Sequence, residues 1–186
     1  MIRDQTAVGT GGGGGLAGYL DDLLDERASQ EAMPAPGGAG QRLEALLVEA
    51  GGVAFALPQA AVEAVLPAPG RLARPPRGAP AWLLGRLVRG GTRIPVADLA
   101  AALLPKGRAG AGARGWLVLL AGGWALACER VADPVTLGRG QVRWRRPDGG
   151  RPWLAGVAAA PAALVVNPTR LAAWLDAAAG YGTDDA

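Results

Sequence analysis

Trp144, Arg145 and Arg146 stand on one side of a proline-glycine turn, and Arg151 and Trp153 stand on the other. Guanidinium groups stack on indole faces and pair with carboxylates through a planar fork. The chemistry on offer is recognition of acidic groups on a partner. Catalysis has little to work with. The chain contains no histidine, which removes the usual general base, the commonest transition-metal ligand and every Ser-His or Cys-His relay. Cys128 is the only cysteine, so neither an internal disulfide nor a thiolate metal cluster can form. It lies in an apolar strand pattern, where a buried, inert thiol is expected. Gly11–Gly15 lacks the Lys-Ser/Thr of a phosphate-binding loop and follows no strand, so it reads as a tether. No metal, no cofactor and no enzymatic activity are expected.

Charge points the same way. Residues 1–70 carry 3 basic and 9 acidic side chains, a balance of −6, whereas residues 71–151 carry 15 and 4, a balance of +11. Every basic residue but Lys106 is arginine, the cation suited to bidentate pairing at interfaces. A partner bearing acidic groups is implied. Among the six tryptophans, Trp82, Trp116, Trp124 and Trp174 sit in apolar patterns and are expected in the core. Trp144 and Trp153 have charged residues and glycines around them, and interface and core are equally open for both.

The elements that must carry these residues are mainly strands. Leu43–Ala50 and Val53–Leu57 flank Gly51-Gly52, a good hairpin turn. Ala61–Leu66 reads as a third strand. Pro67 to Pro80, with five prolines and Arg71, Arg74 and Arg77, is an exposed loop. Trp82–Arg89 and Thr92–Val96 flank Gly90-Gly91, with a break at Pro95 leading into a short helix, Leu99–Leu104, that Asp98 caps and Pro105 stops. Trp116–Ala121 and Trp124–Cys128 form another Gly-Gly hairpin. Val131–Leu137, Gln141–Trp144, Trp153–Ala158 and Ala163–Val166 follow as strands. Asn167-Pro168 opens a closing helix whose Leu171, Trp174 and Leu175 fall at helical spacing.

The N-terminal region reads differently. Leu16, Tyr19, Leu20, Leu23 and Leu24 recur along one helix face, with Asp21, Asp22, Asp25 and Glu26 on the other. Glycine tether before and Met33–Gly40 after favour a docking motif on a flexible tail, residues 1–40, with packing of the helix onto its own domain as the alternative. A domain over 41–178 and a disordered tail over 179–186 complete the expected layout. No run reaches the ~20 apolar residues of a membrane span, and no signal peptide is apparent, so a cytoplasmic protein without membrane insertion is expected.

The order Leu46–Leu57, Val62–Pro67, Ala79–Gly85, Gly85–Leu99 and Trp116–Val131 resembles the CheW-like domain, the adaptor fold of bacterial chemotaxis arrays, over roughly Leu43 to Asp176. That resemblance implies two SH3-like five-stranded β-barrels packed side by side, with short helices and a C-terminal helix. It also implies a non-enzymatic scaffold that binds the chemotaxis histidine kinase, the cytoplasmic tip of chemoreceptors, or both. The segment Gln141–Gly156, with its Trp-Arg…Arg-Pro-Trp-Leu-Ala-Gly pattern, and the segment Tyr19–Glu26 both look like ParP-type proteins. Those proteins tie arrays to the cell pole through the ATPase ParC, so a ParC-like partner and polar arrays are implied.

In the family the first hairpin carries Asn-Leu-Arg-Gly. Val88, Arg89, Gly90 and Gly91 fall in those slots, which leaves Arg89 one residue out of register and on the opposite strand face, unless a one-residue insertion in the turn restores it. Val62 matches an apolar position of the kinase-facing edge, Ala64 stands where the family has Glu, and Cys128-Glu129 replaces a Val-Asp pair. Partner-binding candidates are therefore Val62, Arg89, Trp144, Arg145, Arg146, Arg151 and Trp153, with Leu16, Tyr19, Leu20, Leu23 and Leu24 in the docking motif. A plain coupling protein of the same family is the alternative, and a nucleic-acid-binding barrel a more distant one. The +11 segment motivates the latter, but its arginines lie largely in loops and no array of aromatics on adjacent strands accompanies them.

Overall fold

Glycine pairs and short apolar runs set the local structure. In the computed structural model, which describes residues 42–106, 114–146 and 150–180, β1 (Leu43–Ala50) turns back into β2 (Val53–Pro58) at Gly51 and Gly52, both at positive φ. A 3-10 turn, Gln59–Ala61, leads into β3 (Val62–Pro67). After the proline-rich loop, β4 (Leu83–Arg89) and β5 (Thr92–Asp98) form the second tight hairpin, with Gly90 and Gly91 at φ 56° and 81°. Helix α1 (Leu99–Leu103) follows at once. Strands β6 (Trp116–Leu120), β7 (Ala125–Cys128), β8 (Arg130–Leu137), β9 (Val142–Trp144), β10 (Leu154–Ala159) and β11 (Ala162–Val166) precede helix α2 (Pro168–Ala179).

These strands build two sheets, ordered β8-β1-β2-β11-β10-β9 and β3-β6-β7-β5-β4. The expected pair of small β units is present, but one has six strands rather than five. The chain also interleaves them. β1 and β2 begin the first sheet, β3–β7 make the second, and β8–β11 return to finish the first. The parallel pair β2–β11 results from this crossing, whereas β5 and β7 run parallel within the second sheet because α1 and β6 intervene between them.

Both faces of each sheet are buried. Ala45, Ala56, Ala158, Ala163, Leu137, Val142 and Val165 cluster on one face of the six-stranded sheet, and Val96, Leu117, Leu119, Ala125 and Ala127 on one face of the other. Alternation turns Val48, Phe55, Leu57, Val118, Leu120, Leu126 and Leu164 the opposite way, and they are equally buried. Burial of both faces requires a second layer, and β1 and β7 are indeed neighbours across the sheets. Glu129 fastens that seam: its amide donates to the Glu49 carbonyl at 2.8 Å, and its Oε1 accepts from the Gly51 amide at 3.0 Å.

Both helices follow the capping expectations. Asp98 Oδ1 accepts from the Ala101 amide at 3.1 Å, and Asn167 Oδ1 from the Arg170 amide at 3.1 Å. Helix α2 buries Leu171, Ala172 and Leu175, and ends on Gly180 in the left-handed region. Its Trp174 stacks on Trp82 with ring centroids 6.2 Å apart, Trp82 lies 6.0 Å from Trp124, and Trp124 Nε1 donates to Asp176 at 2.9 Å. Three tryptophans from distant segments thus hold the helix over the β6–β7 turn.

Three expectations are corrected. Pro95 does not break its strand: β5 runs through it, paired with Arg86. The Arg86–Pro95 pair is of the non-hydrogen-bonded kind, so the amide that proline lacks is not needed by β4. Trp116, expected in the core, is 39% exposed at the first position of β6, beyond the buried run that follows it. Trp153 goes the other way: it is 2% exposed, its ring centroid 6.5 Å from that of Phe55, which makes it core.

Candidate partner-binding surface

The segment from Trp144 to Trp153 is held at both ends by the six-stranded sheet. Trp144 ends β9 opposite Gly156, where a Cβ would press on the Arg143 carbonyl oxygen at 2.6 Å. Only glycine lets the strands approach so closely. The Trp144 ring is half-buried against the alanine-lined core of that sheet. The Arg145 amide donates to the Ala155 carbonyl at 2.8 Å, and the Leu154 amide to the Arg151 carbonyl at 3.1 Å. Trp153 plugs into the core, and its carbonyl accepts from the Asn167 amide at 2.7 Å, tying the segment to the start of α2. Arg145 and Arg151 are half-buried, while Arg143 and Arg146 are exposed. The structure therefore brings Trp144, Arg145, Arg146, Arg151 and Trp153 together, as their sequence proximity suggested. Trp153 serves as their anchor, not as a contact surface.

Val62 and Arg89 lie elsewhere. Val62 begins β3 and is half-buried opposite Leu120, whereas Arg89 ends β4, exposed and opposite Thr92. β3 and β4 are opposite ends of the five-stranded sheet order, so no shared edge joins the two residues. The β4–β5 turn has two residues and no insertion, so Arg89 stays in the strand and Gly90 occupies the turn. The docking-motif residues Leu16, Tyr19, Leu20, Leu23 and Leu24 lie outside the described residues.

Features that sequence reasoning passed over surround Arg89. Val88 is 61% exposed and stands opposite Arg93. Strict alternation outward from buried Val96 would have placed both on the open face. The loop from Pro67 to Pro80 is not merely a linker. Leu72 packs on the core of the five-stranded sheet, and Ala73 bridges to Arg86. Gly85, at φ +145°, makes room for this crossing, because a Cβ there would collide with the Ala73 carbonyl oxygen.

Chemically, the interior of the domain is quiet. The Cys128 thiol is pushed up from 9.0 to about 12, first by burial and then by the charge of Glu129. It stays protonated at neutral pH and is no nucleophile. Asp98, the one buried charged side chain among the described residues, is consumed by structure. Its Oδ2 accepts from Arg114 Nε at 2.8 Å and from Arg114 Nη2, while Oδ1 caps α1. The pair Arg130–Glu49 is solvent-exposed and contributes little. No group of three or more acidic, cysteine or histidine side chains able to hold a metal occurs among the described residues. None of their helices is long and apolar enough to cross a membrane.

Comparison with known proteins agrees with this architecture. The fold is similar to that of the scaffolding protein TtCheW from Thermoanaerobacter tengcongensis, with a TM-score of 0.57 and 14% sequence identity, covering 68% of this chain and 90% of that one. No curated protein matches the chain. A model of the CheW-like domain matches residues 44–178, from the second residue of β1 to the last turn of α2. Two interleaved sheets, a sealed interior and arginine-bearing edges are thus those of a member of the CheW-like domain family.

Proposed function

We propose that this chain is a non-enzymatic scaffold of a bacterial chemosensory array. It binds the array's histidine kinase, the chemoreceptor cytoplasmic tip, or both, in the cytoplasm, and links the array to a polar ParC-like ATPase. The single observation that carries the scaffold role is the CheW-like match over residues 44–178, nearly the whole described domain. The sealed interior supports it, because the cysteine is buried and protonated and the buried carboxylate is fully bonded. The ParP-type link rests on the sequence patterns at Tyr19–Glu26 and Gln141–Gly156.

Binding of the full chain to purified kinase and receptor tip tests the scaffold role, with affinity for at least one expected. Absence of both interactions would sink it. The polar link is tested by Leu20→Asp with Leu23→Asp, which sets two charges on the apolar helix face that a groove would bury. The double variant should lose its ParC-like partner and its polar foci while kinase and receptor binding and the thermal melt stay unchanged. Foci that persist would leave plain coupling as the function.

A further inference from the structure

Strand β4 has a neighbour on one side only, β5. On its other side Arg86 exchanges two backbone hydrogen bonds with Ala73, at 2.9 and 3.0 Å. In an antiparallel ladder every second residue turns its N–H and C=O to the same edge, so the peptide groups of Val88 face outward as those of Arg86 do. Among the described residues no backbone group meets them. The Val88 side chain beside them is 61% exposed.

The charge around this open rung has one sign. From Ala64 to Ala97 the chain carries six arginines and no acidic residue. Arg71, Arg74, Arg77, Arg89 and Arg93 are exposed and pair with no carboxylate among the described residues. Register sets Arg93 opposite Val88 and Arg89 one position on, and the Ala73 bridge brings the loop that carries Arg71 and Arg74 to the same edge.

We propose that the β4 edge accepts an extended acidic segment of a partner protein as one more antiparallel strand. The segment pairs with the Val88 peptide groups, covers the valine, and sets its carboxylates against Arg89, Arg93 and the loop arginines. A second copy of this chain is a poor occupant, because two β4 edges would set arginine against arginine. A nucleic acid would use the charges and leave the peptide rung unused. The inference is independent of the chemosensory reading, since no kinase or receptor enters its argument or its test.

The test uses the full chain and a capped octapeptide with a central valine flanked by glutamates on both strand faces, since Arg89 and Arg93 lie on opposite faces of the hairpin. The same peptide with lysine for glutamate and a single-stranded oligonucleotide serve as comparisons. Fluorescence anisotropy should show at least tenfold tighter binding of the glutamate peptide than of the lysine one. Val88→Pro deletes the outward N–H and touches no β4–β5 bond, because the Val88–Arg93 pair is non-hydrogen-bonded. It should weaken the peptide at least tenfold, whereas Val88→Thr, which keeps the N–H, should stay within about threefold. Arg89→Glu with Arg93→Glu should also cost tenfold or more and flatten the salt dependence. In the wild type, the Val88 amide should exchange slowly only when peptide is bound. If Val88→Pro fails to fold, this amide decides alone. No peptide binding, equal binding by wild type and folded Val88→Pro, or a Val88 amide already protected in the free chain would each overturn the proposal. So would an oligonucleotide that binds more tightly than the peptide and is insensitive to Val88→Pro.

Discussion

Two arginine-rich regions of this domain solve the same problem of presenting cations in opposite ways. The segment Trp144–Trp153 is pinned from within. Trp153 is buried beside Phe55, Trp144 lies half-buried on the alanine-lined core, and backbone bonds tie Arg145 and Arg151 to β10. The β4–β5 hairpin is pinned only along its length, by β5 and the Ala73 bridge, and its tip carries Val88, Arg89 and Arg93 into solvent. The described ends of the first region are pre-organised and lose little entropy on docking; the second is an open edge that a partner must complete. Composition alone does not separate them. Anchoring does.

The comparison breaks most visibly at its anchor. Trp153→Ala should destabilise the domain by about 3–5 kcal/mol in chemical denaturation, the usual range for an emptied aromatic site. Trp144→Ala, half-buried, should cost less than half as much. Equal losses would mean that both rings are core, and the region would no longer differ from the rest of the sheet. Cys128 adds a local readout, since its thiol, pushed up to about 12, should resist alkylation at pH 8 in the folded variant while the seam between the sheets stays closed. Its folded-state value is raised, so the stability it contributes is fully present below pH 9 and is lost as pH climbs from 9 toward 12.

On the hairpin side, Gly85→Ala should cost about 1–3 kcal/mol, because the new Cβ drives the Ala73 loop off β4 and the backbone is already at positive φ. Proteolysis within 67–80 should quicken. An unaltered melt would show that the loop is not fastened there.

A smaller effect separates the two regions in binding. If the Trp144–Trp153 segment meets acidic groups on kinase or receptor, Arg146→Glu with Arg151→Glu should weaken that binding at least tenfold, about 1.4 kcal/mol. Higher salt should then weaken the wild type more than the variant. Titration at two ionic strengths checks both, and equal affinities would reduce the segment to a solvated surface. The smallest effect is expected from shortening the chain to residues 41–186, which should shift stability by less than about 1 kcal/mol. A loss beyond about 2 kcal/mol would place the leading residues in the core.

Much of this architecture was legible because it is local. Gly51-Gly52, Gly90-Gly91 and Gly122-Gly123 mark their turns with residues free to take positive φ, and Asp98 and Asn167 announce helix starts by the oxygen they offer to free amides. The break expected at Pro95 is absent from the strand between Thr92 and Asp98, since whether a missing amide matters depends on which edge it faces, and that is a matter of pairing.

Near neighbours in sequence also made the Trp144–Trp153 cluster visible. Nothing in it distinguished the buried Trp153 from the half-buried Trp144, because the cavity that Trp153 fills is lined by Phe55, about a hundred residues earlier. Trp116 is exposed for the reciprocal reason: its strand is apolar, but its first position lies outside the buried run that follows it.

Residue types and their local spacing account for the β-rich class, the turns, the helix caps, the absence of histidine chemistry and the run of arginines without acids. Each of these follows from the type of a residue and its neighbours within one turn or strand. Long-range packing sets the rest: β8–β11 return to β1 and β2, the loop at Ala73 closes part of the β4 edge and leaves Val88 open, and particular tryptophans become anchors. Those outcomes depend on which strand lies beside which, and side-chain periodicity carries no record of a neighbour brought in from far along the chain.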